Sequence, residues 1–376
     1  MNNILTICTL FIKRQPTWVL ISSSVGLLLC ISGGVYLVRA YRTQTSQTTL
    51  KPISQVINTP DSATPSPVPT PILVPNLLNG LLVPAGSEST HSLAVMIENH
   101  PDARPQSGLG SASEVVEAIA EGGITRFMAI FENPSQSVRV GPIRSARPYY
   151  VSFAKEVQAI YAHAGGSKDA LDILASYPYN VDGLRVGAPV FTRDFSRKVS
   201  LEHTLYSSTN SLWTLATTTN RWPATVQYPS LLFADDALVT ARPASQSISV
   251  SVSDPLYAVR WAYDPIQNQY LRSMAGMAHI DQNSGQQITA KTIVLQTVGR
   301  TPYVETYGDG VSKTVYNDDL ITGGKAVILE NGQAATGTWK VSNGRTRYYD
   351  TGGLEIPLVR GTLWIHLVHD DSAISY

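Results

Sequence analysis

The hydrophobic pattern along the chain separates four stretches. From Trp18 to Val38 no residue is charged, and a helix of that length, rising ~1.5 Å per residue, spans the ~30 Å hydrocarbon core of a bilayer. The pattern therefore predicts a single N-terminal transmembrane helix, with residues 1–42 forming a cytoplasmic tip and anchor. Lys13 and Arg14 precede the run and Arg39 and Arg42 follow it, so the flanking charges balance and orientation rests on what comes next. A cleaved signal peptide is the alternative, because Val38-Arg39-Ala40 has small residues at cleavage spacing; the apolar run is longer than the usual ~7 to 15 residues. Residues 43–75 are rich in Ser, Thr, Gln and Pro, with TPSPVPTP at 64–71. Such a segment buries too little apolar surface to order itself and reads as an extended linker. A stalk directly after a membrane span places the remaining chain outside the cytoplasm.

The third stretch, 76–230, reads as an α/β domain with a mixed sheet and flanking helices. Leu93–Ile97 is a continuous apolar run, the mark of a buried strand. Ser111 and Glu114 have capping-box spacing, and Val115, Val116, Ala118 and Ile119 make an apolar helical face, which predicts a helix stopped by Gly122 and Gly123. With Phe127–Phe131 as the next strand, this predicts a strand–helix–strand unit with a right-handed crossover and parallel pairing. Val138–Ile143 reads as a third strand. Ser145 is placed to cap a helix whose Ala146, Tyr149, Tyr150, Phe153, Ala154 and Val157 recur with helical spacing. Ala159–His163 is then a strand, followed by Ala164-Gly165-Gly166-Ser167 and a short helix through Leu174.

Beyond Pro229 the texture changes to short alternating strands, so 231–376 reads as a mostly-β domain. Strands are expected at 248–252, 257–263, 292–297, 326–329, 337–341 and 363–368. Asp264-Pro265, Asn283-Ser284-Gly285 and Asn331-Gly332 are hairpin signals between them.

Charge and cysteine content narrow the function classes. Lys and Arg total 28, as do Asp and Glu, so no global field steers the chain to nucleic acid. Cys8 and Cys30 both lie in the first 30 residues, leaving the rest without a disulfide, a zinc-thiolate site or a cysteine nucleophile. Leu27-Leu28-Leu29 before Cys30 lacks the small residue that lipidation needs.

Ligands of open α/β sheets bind beyond the carboxyl ends of strands. That rule selects Glu98-Asn99-His100, Arg144-Ser145 and His163 to Ser167. Arg126, Arg144 and Arg147 offer guanidinium forks for carboxylate or phosphate, and Gly165-Gly166 lets backbone amides approach a ligand. Together these residues predict an anion-binding crevice. The competing reading pairs the arginines with Glu98, Glu117 and Glu121 as a structural network. Acid–base candidates are His163, Asp194 and His203, with Asp194 in Arg193-Asp194-x-x-Arg197-Lys198 orienting one histidine; a satisfied core histidine is the other reading of His163. Gly108-Leu109-Gly110 is a poor dinucleotide loop because it sits far past its strand. His279-x-Asp281 and His366-x-x-His369 lack further ligands at suitable spacing, so neither a metal nor a cofactor is expected.

Several runs resemble a known family. LAVMIENHPDARPQSGL (93–109), EGGITRFMAIF (121–131), VGPIRSARPYY (140–150), YAHAGGS (161–167) and HTLYSS (203–208) resemble the YerB-like bacterial extracytoplasmic proteins. WAYDPIQNQYLRSMAGMAHID (261–281) and TGTWKVSNGRTRYYD (336–350) are similar to that family's C-terminal domain. The resemblance covers nearly everything after residue 76. It implies two domains of unknown function held outside the cytoplasm and names no reaction. Carried over residue by residue, the family's recurring polar positions fall on Glu98, Asn99, His100, Arg104, Glu121, Arg126, Arg144, Arg147, His163, Asp194 and His203. The chain departs from the lipoprotein members in lacking a lipobox, which is why its anchor reads as a membrane helix. The expected ligand set is Glu98, Asn99, His100, Arg104, Glu121, Arg126, Arg144, Ser145, Arg147, Gly165, Gly166, Ser167 and Arg197. Its ligand would be an anionic, glycan- or phosphate-bearing small molecule or envelope polymer. A hydrolase or transferase built on His163, Asp194 and His203, or a structural protein that binds a partner, are the alternatives.

Overall fold

Leu93–Glu98 (β1) is buried at every position because both of its faces are covered. Leu93, Val95 and Ile97 enter one core, and Ala94 and Met96 enter the other. A strand covered twice shows no polar alternation. This is a computed structural model in which residues 72–306 and 310–376 are described. The expected span Trp18–Val38 and the linker up to residue 71 lie outside the described residues, among which no helix is long and apolar enough to cross a membrane. Leu73–Pro75, expected as the linker's end, is instead a short strand paired with Leu82–Pro84.

The large sheet is built around β1. Along its main path the other strands are Glu114–Glu121 (β2), Ile124–Phe131 (β3), Ile160–His163 (β4), Asn180–Asp182 (β5), Thr292–Thr297 (β6), Gly324–Glu330 (β7), Gln333–Ser342 (β8), Arg345–Asp350 (β9) and Leu363–Val368 (β10), and the hairpin of Arg300–Thr306 and Ser312–Asp318 joins β2 through Val315. They run in the spatial order β9-β8-β7-β6-β10-β2-β3-β1-β4-β5, so strands from both halves of the chain share one sheet. The join is parallel, with β10 lying between β6 and β2. Helices Pro148–Glu156 (α1) and Lys168–Leu174 (α2) cover one face through Tyr149, Tyr150, Phe153, Ala170 and Leu174. On the other face lies a smaller antiparallel sheet of Ser247–Ser251, Val259–Asp264, Gln269–Met274, Met277–Ala278, Thr289–Ala290 and Ala373–Ser375, packed through Val250, Trp261 and Tyr270. The molecule is sheet-rich with few helices, and its second half is mostly β.

One predicted element is of the wrong type. Residues 114–121 form a strand, not a helix, and Ser111 with Glu114 is no capping box. Val115 enters one core and Val116 and Ala118 the other. A strand buried on both faces and a helical stripe both contain adjacent apolar pairs, so periodicity does not separate them. Gly122 (φ +56°) and Gly123 (φ +78°) then close a β-hairpin turn instead of ending a helix. The expected crossover is accordingly absent, and β3 pairs antiparallel with β1.

Two further corrections are smaller. Of the third strand only Arg139–Val140 is regular, paired with Leu205–Ser208. Helix α1 starts at Pro148, with extended Arg147 before it and no cap from Ser145, because proline is preorganised for the first helical position. By contrast, β6 and β10 have the predicted bounds. Asn331 (φ +52°) and Gly332 (φ +72°) form the predicted hairpin between β7 and β8.

Candidate functional site

Strands β1, β4 and β5 are mutually parallel, so Glu98, His163 and Asp182 end at one sheet edge. Beyond β1 the chain turns sharply at Pro101–Ala103, where His100 Nδ1 accepts from Asp102 N at 3.2 Å. The buried Glu98 carboxylate takes Arg144 Nε on one oxygen (3.1 Å) and His203 Nδ1 on the other (2.8 Å). His203 comes from the turn Leu201–His203, and its ring stacks on His100 at 4.8 Å with the planes 13° apart. With Nδ1 held by Glu98, Nε2 faces Glu202 Oε1 at 3.5 Å. Arg144 Nη1 also reaches Glu202, at 3.3 Å to its carbonyl and 3.4 Å to its carboxylate. Sequence reasoning selected Glu98, His100, Arg144 and His203 separately, and the fold brings them together.

The other two arginines of the expected crevice sit elsewhere. Arg126 and Arg147 are each 2% exposed. They grip one carboxylate: Glu121 Oε1 takes Arg126 Nη2 (2.7 Å) and Oε2 takes Arg147 Nη2 (2.6 Å). Their Nη1 groups donate to the Ser145 and Ala146 carbonyls. This is the structural pairing that the sequence left open, and it makes these residues a wall beneath the site.

The Gly165–Ser167 turn is likewise occupied from within. Gly165 N donates to Asp182 (3.0 Å), Ser167 N donates to the Ala146 carbonyl (3.3 Å), and Ser167 Oγ caps α2. Gly166 lies in a bridge with Ala146. His163 is fully buried, with Nδ1 on the Gly165 carbonyl and Nε2 on Asn180, each at 2.7 Å. Asp194 is held by Arg139 at 2.6 Å and by Ser196 N. Hydrogen bonds from Ser196, opposed by partial desolvation and joined by those from Arg139, keep its carboxyl below the usual range. His163, Asp194 and His203 therefore have separate partners, and the carboxylate that orients His203 is Glu98.

Around the rim lie cations of a different kind. Arg104 Nη2 donates to the Asn99 and Leu256 carbonyls, and its guanidinium lies 5.3 Å from the Tyr257 ring centroid. Arg197 Nη2 donates to the carbonyls of Asp102 and Arg104. Arg193 donates to the Leu201 carbonyl and to Thr204 Oγ1. Among the described residues none of these three comes within ion-pair distance of a carboxylate. Asn99, also an expected ligand residue, is buried and bonded to Thr125 and Gln106. His100, Asp102 and His203 bring candidate ligand atoms within 4.8 Å of one another. Because the two imidazoles are stacked nearly parallel, their in-plane lone pairs run side by side, and a metal would require one ring to turn.

Sequence reasoning passed over the polar network behind the site. Glu117, expected only as a possible partner of the named arginines, accepts from Arg272 (2.8 and 3.0 Å), Trp364 Nε1 (3.1 Å) and Thr125, and lies 3.3 Å from His366 Nδ1. Arg272 contacts His279 Nδ1, His279 Nε2 reaches Gln106 (2.8 Å), and Gln106 bonds Asn99 and the Glu98 carbonyl. Burial pushes the Glu117 carboxyl up, but Arg272 and the hydrogen bonds on it win and hold it below the usual range. Burial, despite Glu117, lowers His366 to about 4, and burial with the Arg272 charge depresses His279 strongly. Both histidines are neutral and serve as hydrogen-bond relays. The one visible signal was a charge inside an apolar run, EVVEAIAE and QYLRSM. The paired motifs set aside as metal candidates also diverge. Asp281 Oδ2 accepts the amides of Gly108 and Gly110, and His369 faces Asp318.

Two family models match the chain. Residues 78–222 match the N-terminal domain, and residues 248–365 the C-terminal domain, of a protein family of unknown function, DUF3048. A Bacillus subtilis (strain 168) protein described as "Putative lipoprotein YerB" is 32% identical over 305 residues, covering 79% of this chain and 87% of that protein. The chain belongs to the YerB-like DUF3048 family. The crystal structure of Bacillus subtilis YerB superimposes with a TM-score of 0.69 at 29% identity, over 81% of this chain and 100% of that one. The Glu117–Arg272 pair joins the two family domains between the large sheet and the smaller one. The rim residues Glu98, His100, Arg104, Arg144, Arg193, Arg197 and His203 all fall within the first.

Proposed function

We propose that this protein is a membrane-associated extracytoplasmic binding protein whose ligand is an anion, a phosphate- or carboxylate-bearing component of the cell envelope. The location rests on the lipoprotein description of the relative and on the uncharged run at 18–38. The ligand class rests on one observation. Arg104, Arg193 and Arg197 donate to carbonyl or hydroxyl oxygens and, among the described residues, have no carboxylate within ion-pair distance; their acceptors, Leu256 aside, lie on the segments 99–104 and 201–204 that flank Glu98 and Glu202, the two carboxylates of the partly exposed Arg144. A guanidinium whose charge is uncompensated gains most from an incoming anion, whereas one already paired with a carboxylate must first give that partner up. Arg126 and Arg147 fall in the second group and are not part of the binding surface.

A thermal-shift screen of the protein against inorganic phosphate, phosphorylated and carboxylated sugars and anionic envelope polymers tests this reading. A ligand at 100 times its dissociation constant adds about 2.7 kcal/mol of stability. The expected result is a hit whose shift Arg144→Ala reduces by about half or more and Arg197→Ala reduces slightly. A hit unaffected by either substitution overturns the location, and a flat screen overturns the ligand class.

A second reading has its own observation. Glu98 orients the buried His203 through Nδ1 and leaves Nε2 facing the exposed Glu202, the arrangement of a general base held by a carboxylate. It predicts slow hydrolysis of p-nitrophenyl phosphate or acetate, lowered about 100-fold or more by His203→Gln. Absence of turnover on both esters removes it.

A further inference from the structure

Next to the arginine rim lies an apolar groove that the anion reading does not use. It is an open groove of about 480 Å³ lined by Leu184, Phe191, Arg193, Phe195 and Leu205, a size that suits a small-molecule site. Gly183 lets the Phe191 ring pack close beneath the groove, since a Cβ there would fall 2.7 Å from that ring. Three large apolar side chains of this region point to solvent: Leu184 is 62% exposed, Phe195 68% and Leu201 59%. Phe195 stands between Arg193 and Arg197 in the sequence Arg-Asp-Phe-Ser-Arg-Lys. Exposed apolar groups gathered on one face mark an interaction site.

The groove and the rim are continuous through named contacts. Arg193 donates to the carbonyl of Leu201, and Leu201 opens the turn that carries Glu202 and His203. Glu202 in turn meets Arg144. On the other side Leu184 packs against Gly165, where a Cβ would lie 3.2 Å from its Cδ1, and the Gly165 carbonyl holds Ala146, two residues from Arg144. One end of a bound molecule thus faces Arg193 and Arg197, which among the described residues have no carboxylate within ion-pair distance, beside Arg144 with its partners Glu98 and Glu202, and the other faces Leu184, Phe191 and Phe195.

We infer that the ligand is an anionic amphiphile: a phosphate or carboxylate head on a hydrocarbon chain, with the head at Arg144, Arg193 and Arg197 and the chain in the Leu184–Phe195 groove. This rests on the anion reading of the same rim and adds the chain to it. The charge of the rim selects the sign of the head. A groove without a buried polar side chain of its own selects an apolar tail.

The test compares inorganic phosphate with octyl phosphate below its micelle concentration, by calorimetric titration of the whole protein. Wild type, Arg144→Ala and the double variant Leu184→Ser/Phe195→Ser are titrated, with circular dichroism melts as fold controls. Octyl phosphate is expected to bind at least tenfold more tightly than phosphate. The double variant should lose that advantage while keeping its phosphate affinity, and Arg144→Ala should weaken both ligands. Equal affinities for the two ligands in wild type overturn the tail and leave the anion site standing. An octyl advantage that survives in the double variant overturns the groove as its location. Failure of both ligands to bind overturns the anion reading and this inference with it. Binding of anionic vesicles without binding of octyl phosphate would replace a single bound molecule by a membrane surface.

Discussion

Two groups of arginines near the Glu98 carboxylate and behind it differ in what holds them. Arg126 and Arg147 are buried, and each donates to Glu121; Arg272, deeper still, is matched by Glu117. Arg104, Arg193 and Arg197 are partly exposed and donate to carbonyl or hydroxyl oxygens. Burial raises the cost of leaving a charge unpaired, so the interior admits an arginine together with its carboxylate. At the rim, water meets part of that cost and the charge stays available. An arginine's neighbours, more than its place at a strand end, separate a structural cation from one that can receive a ligand.

The largest effects should come from breaking the closed group. Glu121→Gln leaves two buried guanidiniums without their carboxylate and is expected to cost about 4 kcal/mol in urea unfolding. A loss below about 1 kcal/mol would show that the wall is not closed. Anion affinity should be unchanged in whatever folded protein remains.

The relay histidines behind the wall make the comparison sensitive to pH. His366 is lowered to about 4, so between pH 6.5 and 4 the unfolded chain binds a proton that the folded chain does not. Its contribution to stability is present above pH 6.5 and lost as pH falls toward 4, by about 3 kcal/mol. His279 acts in the same direction. Glu132 and Glu156 oppose them. Burial raises each to about 7, against the nearby polar groups of Ser113 and Asn76 for Glu132 and hydrogen bonds from Thr346 for Glu156. Their contribution is present below pH 4.5 and lost as pH rises through 7. Glu132→Gln should therefore stabilise the protein by about 2 kcal/mol at pH 8 and hardly at all at pH 4.5, read from melts at the two pH values. An equal effect at both would place Glu132 outside this balance.

Substitutions on the open group should act mainly on binding. Arg144→Ala is expected to cost about 1 to 2 kcal/mol in stability, since Glu98 keeps His203, and tenfold or more in anion affinity. Arg197→Ala, which removes donors to two backbone carbonyls, should weaken the anion about threefold with little change in melting temperature. A stability loss as large as that of Glu121→Gln would move Arg197 into the closed group.

What the sequence revealed follows the range of each interaction. Strands β6 and β10 and the Asn331-Gly332 turn were legible because local composition and turn chemistry specify them. The hairpin of β2 and β3 was misread because EVVEAIAE is apolar toward both faces, which only the layers on either side of the sheet explain. At the site, the strand-end rule found Glu98 and Arg144. It did not find that His203, 105 residues from Glu98 in the chain, completes them, nor that Glu117 meets Arg272 across 155 residues. No local pattern encodes such pairings. The same holds for Arg144 and Arg147, three residues apart, of which one meets Glu98 at the partly exposed rim and the other Glu121 in the interior.

The most direct test of the distinction is a calorimetric titration of inorganic phosphate into Arg144→Ala and Glu121→Gln alongside wild type. The account predicts that Arg144→Ala stays folded and loses at least tenfold in affinity, while Glu121→Gln, though destabilised, binds as wild type does. Retained affinity in Arg144→Ala together with lost affinity in folded Glu121→Gln would mean that the buried arginines carry the binding and that the open rim does not.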